Sequence, residues 1–346
     1  MLFRKFFLRL ILFTHMNVEP NLNRSVYTLA LEIRNALYGR SPVGISDLDK
    51  DRIALVLVDG LGYSLAEKVG IRAEKIHSVF PTITVTVLTT LLTATPPGIH
   101  GIMGWRVLNR REGRIDNLLG NQDVELRNLV QAEPYLPRDS VILAPAGRPS
   151  STLFKSLVGN VTAYYSPWDA FTQAKEIAER KNPRFMFIYL PFVDSVSHHF
   201  GPYSENTMRT AMEVYRLVET FGRDLSEKYS VVMTADHGHV PIEGNVMIGN
   251  DILDHVDLPP FGDHRNLMLM SRRDPSEYLS KYGLITLNRE KLKELTGGEN
   301  VPDYAGVPQD NRLYSYWRDE EEMGYRGSHG GMTREEIEIP LVVWQK

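Results

Sequence analysis

Three mainly apolar runs dominate the hydrophobic pattern of the chain and predict buried strands. They are Ile53–Val58, Phe185–Leu190 and residues 229–234. Runs without polar alternation are typical of strands that helices cover on both faces in a mainly parallel sheet. Shorter apolar runs at 141–144 and 339–344 predict two further strands of the same sheet.

Amphipathic stretches with helical periodicity lie between these runs. Val26–Leu37 has apolar positions at helical spacing and is followed by Gly39 and Pro42, which end helices. Residues 168–180 and 204–228 predict two more helices. The pattern as a whole predicts an α/β fold, a three-layer core in which helices flank a mainly parallel central sheet.

The segment between the third apolar run and the final predicted strand differs in character. Residues 240–326 combine the adjacent prolines Pro259 and Pro260 with a short apolar run and a Gly/Pro-rich patch. We expect this segment to form a small cap subdomain inserted into a catalytic domain of residues 26–346. A chain of 346 residues is long enough for one large core with such an insertion.

The N-terminal residues give conflicting signals. The sequence MLFRKFFLRLILFTHM places basic residues before an apolar run, as in a signal peptide. Arg9 interrupts that run, however, and no small-x-small cleavage site follows. The run is also too short to span a bilayer, and Met16 offers an internal start. We expect residues 1–25 to be a leader outside the domain, and the compartment stays open.

Charge and cysteine content narrow the function classes. The net charge of −4 argues against a general nucleic-acid binder, which needs a basic face. A small phosphorylated substrate remains compatible, because a bound metal can supply local positive charge. The absence of cysteine excludes disulfides, thiolate nucleophiles and thiolate-bound zinc. Any metal site must therefore use histidine, carboxylate and hydroxyl ligands.

Each of the three apolar runs leads into an aspartate. Asp59 follows the first run directly, Asp194 follows the second and Asp236 follows the third. The carboxyl ends of strands in an open α/β sheet form the crevice in which sites are built. Three converging aspartates would repel one another, and burying them is costly without a cation. We therefore predict a metal site at this edge.

Histidines near the same strand ends supply further ligands. His198 lies four residues after Asp194, so the two side chains share one face of a helical turn. His237 follows Asp236 directly, and His329 lies close to the final strand. Together with the aspartates they suffice for two metals about 4 Å apart, as in phosphoryl-transfer sites.

Four other histidines receive no metal role from the sequence. His199 adjoins His198, so its side chain would point to the opposite side of the helix. His239, His255 and His264 fit no ligand spacing that we recognise, and we interpret them as structural or surface residues.

The stretch 80–105 (FPTITVTVLTTLLTATPPGIHGIMGW) allows two interpretations. Threonines alternate with aliphatic residues from Thr82 to Val87, and alternation favours a half-buried strand. The alternative is a helix that begins after Pro81. Thr84 would then lie beside unpaired backbone N–H groups, which stabilise an oxyanion or a phosphate. The segment alone favours the strand.

The motifs together resemble the alkaline phosphatase superfamily, and most closely its nucleotide pyrophosphatase/phosphodiesterase branch. The resemblance covers the core from about Ile53 to Trp344, with the motifs in the family's order. It rests on Asp59, PTIT at 81–84, HGI at 100–102, DSVSHHFGP at 194–202, ADHG at 235–238 and HGG at 329–331.

The resemblance implies a set of ligands and a mechanism. It makes Thr84 the catalytic nucleophile at a turn-to-helix junction, which attacks phosphorus to form a phospho-threonine that water then cleaves. It implies two divalent metal ions, usually Zn²⁺, with Mn²⁺ or Mg²⁺ as alternatives. One ion would take Asp59, Thr84, Asp236 and His237, and the other Asp194, His198 and His329.

Among the departures from the family pattern, one is small and another bears on the substrate. Ser197 replaces the usual glycine before His198, which is a small change. Trp105 occupies the position of the family's phosphate-holding asparagine, and indole cannot replace an amide. We therefore predict that Trp105, Arg106, Asn109 or Arg265 contacts the substrate instead.

Several functions remain compatible with this core. A nucleotide or another phosphodiester is the predicted substrate, while a phosphomonoesterase or a phosphonate hydrolase would use the same metal ligands. A sulfatase would need a C/S-x-P-x-R motif, which the sequence lacks. A metal-bound binding module without turnover is the remoter alternative. The sequence leaves the oligomeric state open.

Overall fold

The computed structural model describes residues 17–118, 126–147, 149–159, 161–317 and 324–346. The strands, in chain order, are β1 (Ile53–Val58), β2 (Glu74–His77), β3 (Arg106–Asn109), β4 (Arg114–Asn117), β5 (Val141–Pro145), β6 (Thr162–Tyr164), β7 (Phe185–Leu190), β8 (Ser230–Thr234), β9 (Val240–Pro241), β10 (Gly244–Met247), β11 (Phe261–Asp263), β12 (Asn266–Leu269), β13 (Leu284–Asn288), β14 (Tyr304–Pro308), β15 (Arg312–Ser315), β16 (Gly327–Ser328) and β17 (Glu338–Trp344).

The α-helices, in chain order, are α1 (Val26–Leu37), α2 (Tyr63–Lys68), α3 (Thr84–Thr93), α4 (Pro97–His100), α5 (Leu126–Leu129), α6 (Pro149–Val158), α7 (Pro167–Arg180), α8 (Phe192–Phe200), α9 (Glu205–Leu225), α10 (Ser276–Ser280), α11 (Arg289–Thr296) and α12 (Arg334–Ile337). Two short 3-10 helices span Leu22–Arg24 and Asn250–Asp254.

A seven-stranded sheet forms the centre of the molecule, in the order β2-β17-β8-β1-β7-β5-β6. Strand β1 lies in the middle and runs parallel to both β7 and β8, whereas β17 pairs antiparallel with β8 and β2 pairs antiparallel with β17. All residues of β1, β7 and β8 are buried, as their mainly apolar sequences predict. The predicted α/β fold with a mainly parallel, helix-flanked sheet is confirmed.

The predicted helices and strands agree closely with the structure. The bounds of α1, β1 and β7 are those predicted, and the other predicted elements differ by one to three residues at their ends. The helix α12 begins with a capping box, in which the side chains of Thr333 and Glu336 satisfy each other's backbone N–H groups.

A second sheet of six strands, in the order β13-β14-β12-β11-β3-β4, lies outside the central one. It draws β3 and β4 from residues 106–117 and the rest from residues 261–308. A separate apolar cluster, which includes Phe80, Leu292 and Val307, packs beneath it. The cap therefore shares strands with the segment that follows the 80–105 stretch, and the boundary 240–326 stays a prediction.

The predicted leader is described only in part. Residues 1–16 lie outside the described residues. Asn17 forms a β-bridge with Thr333, and the Val18 N–H donates to the carbonyl of Met332 at 2.7 Å, so the chain contacts the core before α1 begins. Among the helices that the structure describes, none has the length and apolar character needed to cross a bilayer.

The strand favoured by the local alternation at 82–87 is wrong, because α3 begins at Thr84. The whole helix is buried, so no exposed polar face imposes a helical period on its sequence. The hydroxyls of Thr89, Thr90 and Thr93 donate to the carbonyls four residues earlier, at 2.7–3.0 Å. Threonine can therefore fill a buried helix here without leaving those hydroxyls unpaired.

Candidate metal centre

Three aspartates meet at the carboxyl edge of the central sheet. Asp59 directly follows β1, Asp236 lies two residues beyond β8, and Asp194 lies in the first turn of α8 after β7. The N–H of Asp194 donates to the carbonyl of Asp59 at 3.0 Å, which joins two of these turns. Asp59 and Asp236 are almost completely buried. The parallel register of three neighbouring strands thus produces the predicted carboxylate cluster.

Asp59, Asp236 and His237 form the first group of candidate ligands. Nε2 of His237 lies 3.1 Å from Oδ2 of Asp236 and 3.6 Å from Oδ1 of Asp59. The hydroxyl of Thr84, at the first position of α3, lies 3.1 Å from the same nitrogen. The structure thus brings together the four residues that the family resemblance assigns to one ion.

Hydrogen bonds orient each carboxylate of this group. The Tyr189 hydroxyl donates to Oδ2 of Asp59. The N–H groups of Gly60 and His237 both donate to Oδ1 of Asp236, at 3.0 Å. Within the described chain, Oδ1 of Asp59 and Oδ2 of Asp236 are buried without a hydrogen-bond partner. These two oxygens face Nε2 of His237, where a cation would satisfy them.

Asp194, His198, His239 and His329 form the second group. Oδ1 of Asp194 lies 3.1 Å from Nε2 of His198, 3.2 Å from Nε2 of His239 and 3.8 Å from Nε2 of His329. The three imidazoles therefore surround a single carboxylate oxygen. Three of the four residues are those that the resemblance assigns to the second ion.

Backbone carbonyls fix the tautomers of two of these imidazoles. Nδ1 of His198 lies 2.8 Å from the carbonyl of Gly327, and Nδ1 of His329 lies 2.8 Å from that of Thr82. A carbonyl only accepts, so Nδ1 carries the proton in each ring. Nε2 then presents its lone pair toward Asp194, the arrangement found in metal-bound histidines.

The carboxylates of the cluster have opposite pKa shifts. Burial, together with the neighbouring Asp236 and Asp194, raises the pKa of Asp59 well above its usual range. Burial would also raise the pKa of Asp194, but His198 and His239 together outweigh it and lower that pKa well below its usual value. The site therefore concentrates buried negative charge that a divalent cation would neutralise.

Two imidazoles of the second group favour the neutral state that metal binding requires. Burial lowers the pKa of His239 to about 4. Burial and the stacked ring of His237, at 3.5 Å between centroids, lower the pKa of His329 well below its ordinary value. Neutral imidazole and carboxylate donors without thiolates suit zinc and similar divalent ions. The residues present fit the two expected ions.

His239 is the residue that the sequence analysis missed. It is buried within the second group, although no metal role was predicted for it. Its spacing from His237 carries the signal, because residues two apart in an extended segment project to the same side. In the sequence Asp236-His237-Gly238-His239, that rule would have placed both imidazoles in one cluster.

Arg265 has a partner other than a substrate. Its guanidinium is fully buried and donates to both carboxylate oxygens of Glu336, at 2.6 Å and 3.2 Å. The remaining nitrogen donates to the carbonyls of Asp310 and Arg312, at 3.0 Å and 2.9 Å. These four bonds join the β11–β12 turn to α12 and to the backbone at residues 310 and 312, a structural connection rather than a phosphate clamp.

The other predicted substrate contacts lie at the start of the second sheet. Trp105 is half-buried against the main core, and the guanidinium of Arg106 stacks 4.3 Å above the ring of Trp317. The amide of Asn109 donates to Asp116 at 2.8 Å and accepts from the N–H of Glu112 at 3.1 Å, so it holds the β3–β4 turn. Substrate contacts by Trp105 and Arg106 stay predictions.

Sequence comparison identifies the family. The model described as type I phosphodiesterase / nucleotide pyrophosphatase matches residues 63–330, more than half of the chain. The chain belongs to this family. The type I phosphodiesterase/nucleotide pyrophosphatase family lies in the alkaline phosphatase superfamily, and the predicted membership and hydrolase class are confirmed. No curated protein sequence matches the chain significantly.

Solved structures of low sequence identity share the fold. Murine ectonucleotide pyrophosphatase/phosphodiesterase 5 is 16% identical with a TM-score of 0.65, over 85% of this chain and 88% of that one. Phosphonoacetate hydrolase from Sinorhizobium meliloti 1021, in complex with phosphonoformate, is 15% identical with a TM-score of 0.63, over 85% and 90%. An inactive variant of the murine protein in complex with AMP gives a TM-score of 0.63 at 16% identity, over 84% and 87%.

Proposed function

We propose that the protein hydrolyses phosphodiesters, with two divalent metal ions and a phospho-threonine intermediate on Thr84. One observation carries this proposal. The Thr84 hydroxyl, at the start of a helix, lies 3.1 Å from Nε2 of His237. The carboxylate oxygens of Asp59 and Asp236 that face this nitrogen have no hydrogen-bond partner among the described residues. A hydroxyl so placed can act as a nucleophile once it has lost its proton.

The first turn of α3 provides further stabilisation for the reaction. Ile83 is the N-cap of this ten-residue helix and makes no side-chain capping bond, so the first N–H groups point beyond the helix. These groups and the helix dipole favour negative charge at the position of Thr84. The oxygens of a phosphoryl group attached to Oγ1 of Thr84 would lie within this field.

Asp59, Asp236 and His237 would hold one ion, and Asp194, His198 and His329 the other. Bound divalent ions would lower the pKa of the Thr84 hydroxyl and neutralise the phosphoryl oxygens. Oγ1 of Thr84 bonds to phosphorus as the bond to the leaving group breaks, and the leaving group departs as an alcohol or a phosphate. Water then attacks the phosphorus and releases the monoester product, which regenerates the hydroxyl.

A nucleotide is the substrate that we favour. Tyr165 and Trp168 follow β6 at the carboxyl edge of the central sheet, with 85% and 63% of their surface exposed. Exposed aromatic rings at a catalytic edge suit stacking with a planar base. The AMP complex of the murine structural neighbour agrees with a nucleotide ligand, whereas the phosphonate complexes of the bacterial neighbour support a phosphonate hydrolase as second candidate.

Steady-state hydrolysis of three substrates tests the proposal. We would compare bis-p-nitrophenyl phosphate, p-nitrophenyl phosphate and phosphonoacetate with added Zn²⁺ or Mn²⁺, and again after chelation. The expected result is metal-dependent turnover with the highest kcat/KM for the diester. Preference for phosphonoacetate would favour the second candidate. No turnover of any substrate by protein that has bound two metal ions would contradict both and favour a binding module.

A further inference from the structure

We propose that His239 is a fourth protein ligand of the ion held by Asp194, His198 and His329. The proposal rests on the two-metal centre described above, and it adds a ligand that the family resemblance does not include. That resemblance gives this ion two imidazoles and one carboxylate, whereas the structure offers three imidazoles.

Distance supports the assignment. Nε2 of His239 lies 3.2 Å from Oδ1 of Asp194, nearly as close as Nε2 of His198 at 3.1 Å and closer than Nε2 of His329 at 3.8 Å. One donor atom from each of the four residues lies within 4.8 Å of all the others. An ion in contact with Asp194, His198 and His329 would therefore also lie within reach of His239.

A two-stranded ribbon places His239 opposite His329. Strands β9 and β16 are antiparallel, with Val240 paired to Ser328. The next pair in that register is His239 with His329, and their ring centroids are 5.1 Å apart. The same ribbon also holds His198, through the Gly327 carbonyl. One backbone unit thus fixes all three imidazoles, as expected for ligands of one ion.

Gly60 makes room for the His239 ring. This glycine has φ +75°, and a Cβ added to it would lie 2.7 Å from Cε1 of His239 and 2.7 Å from Cα of Asp194. Any larger residue at position 60 would displace the imidazole from the carboxylate. The backbone at Gly60 therefore packs as closely against His239 as against Asp194.

The ring nitrogens of His239 are available to bind a metal ion. Both ring nitrogens are buried and have no hydrogen-bond partner among the residues described, and Oδ1 of Asp194 has none either. Burying such polar atoms without a partner destabilises the folded protein. A cation between Nε2 of His239 and Oδ1 of Asp194 would satisfy both atoms.

A third imidazole would change the selectivity of this position. Three nitrogen donors and one carboxylate favour Zn²⁺ and later transition metals over Mg²⁺. The first group has two carboxylates, one imidazole and the Thr84 hydroxyl, which is a harder donor set. We therefore expect the ion at Asp194 to be the more tightly bound zinc.

The test compares metal binding by the wild type, His239→Gln, His239→Ala and the matched control His199→Ala. His199 is exposed, and its Nδ1 lies 2.9 Å from the Ser195 carbonyl. Zinc affinity would be measured by chelator competition and ligand geometry by the visible spectrum of Co²⁺-loaded protein. We expect the wild type to bind two ions. In both His239 variants, the affinity for one ion should be at least about 10-fold weaker and the Co²⁺ spectrum should be altered. The control should match the wild type in both measurements.

Wild-type affinities and an unchanged Co²⁺ spectrum in the His239 variants would overturn the proposal while leaving the two-metal function intact. A wild type that binds no metal would instead contradict the proposed function. Zinc-edge X-ray absorption of the wild type covers the case in which neither variant folds. It should count four imidazoles over two zinc ions, and a count of three would exclude His239.

Discussion

The hydroxyl oxygen of Thr84 lies 3.1 Å from Nε2 of His237, across 153 positions of sequence. The threonine is the first residue of α3, and the histidine follows β8 in the neighbouring strand-end turn. The two groups are buried together, beside carboxylate oxygens of Asp59 and Asp236 that have no hydrogen-bond partner among the described residues. This contact connects the candidate nucleophile with the candidate ligands of the first ion.

Replacing the Thr84 hydroxyl should abolish turnover without changing the fold. Thr84→Val keeps the shape of the side chain, and we expect it to lower kcat for the diester by at least about 10³-fold. Thr84→Ser should retain part of the activity and, after acid quenching, a phosphorylated peptide detectable by mass spectrometry. The control is Thr86→Val, because the buried Thr86 hydroxyl has no hydrogen-bond partner in the described chain. Undiminished turnover in Thr84→Val would assign the nucleophile elsewhere.

Tyr189→Phe should weaken the first metal position. The Tyr189 hydroxyl donates to Oδ2 of Asp59 and so turns Oδ1 toward His237. Losing such an orienting bond typically costs about 10–100-fold in metal affinity or activity. Metal titration should therefore show one weakened ion, with kcat reduced in parallel. Tyr229→Phe, which loses a hydroxyl bonded to the Pro183 carbonyl, is the matched control. Equal metal affinity in both variants would contradict an orienting role for Tyr189.

The Arg265–Glu336 pair should act on stability rather than on substrate binding. Arg265→Met leaves a buried carboxylate unpaired, and we expect a loss of about 3–5 kcal/mol in the free energy of unfolding by urea. The double variant Arg265→Met/Glu336→Gln should recover part of it. The surface pair of Arg216 with Glu213, at 2.7 Å, provides a control whose loss costs about 0–1 kcal/mol. A large increase in KM with unchanged stability would restore Arg265 as a substrate contact.

The central sheet and most of the cluster could be predicted from sequence because their signals are local. An uninterrupted apolar run specifies a strand buried on both faces, and the aspartate after it lies at the site edge in any parallel sheet. Asp59, Asp194 and Asp236 therefore needed no knowledge of the complete fold. Their histidine neighbours followed from spacing within a turn.

The features that sequence did not predict depend on contacts between residues that are distant in sequence. The spacing of His239 from His237 indicates only that the two imidazoles project to the same side, and it is the pairing of β9 with β16 that places His239 opposite His329. Arg265 was predicted to contact the substrate, because arginines commonly bind phosphate. Its actual partner, Glu336, lies 71 residues away, so the local sequence does not indicate the pair. Local alternation at 82–87 failed because complete burial removes the polar face from which a helical period is recognised.

His100 should contribute to the pH dependence of stability independently of the metal centre. Its Nδ1 accepts from the Ile102 N–H at 3.1 Å, so Nε2 carries the proton and donates to the Thr90 hydroxyl at 2.9 Å. Burial of this neutral ring lowers its pKa from 6.5 to about 3. Below pH 6.5 the unfolded chain therefore binds a proton that the folded chain does not, and stability falls as the pH falls from 6.5 toward 3.

The expected slope is about 1.4 kcal/mol per pH unit for this one group. Urea unfolding at several pH values between neutrality and mild acid, with chelator present, should show a shallower loss of stability in His100→Gln than in the wild type. The glutamine side chain can replace both hydrogen bonds, so a difference in slope reports the titration itself. Parallel stability curves for the two proteins would show that His100 is protonated equally in the folded and unfolded chains.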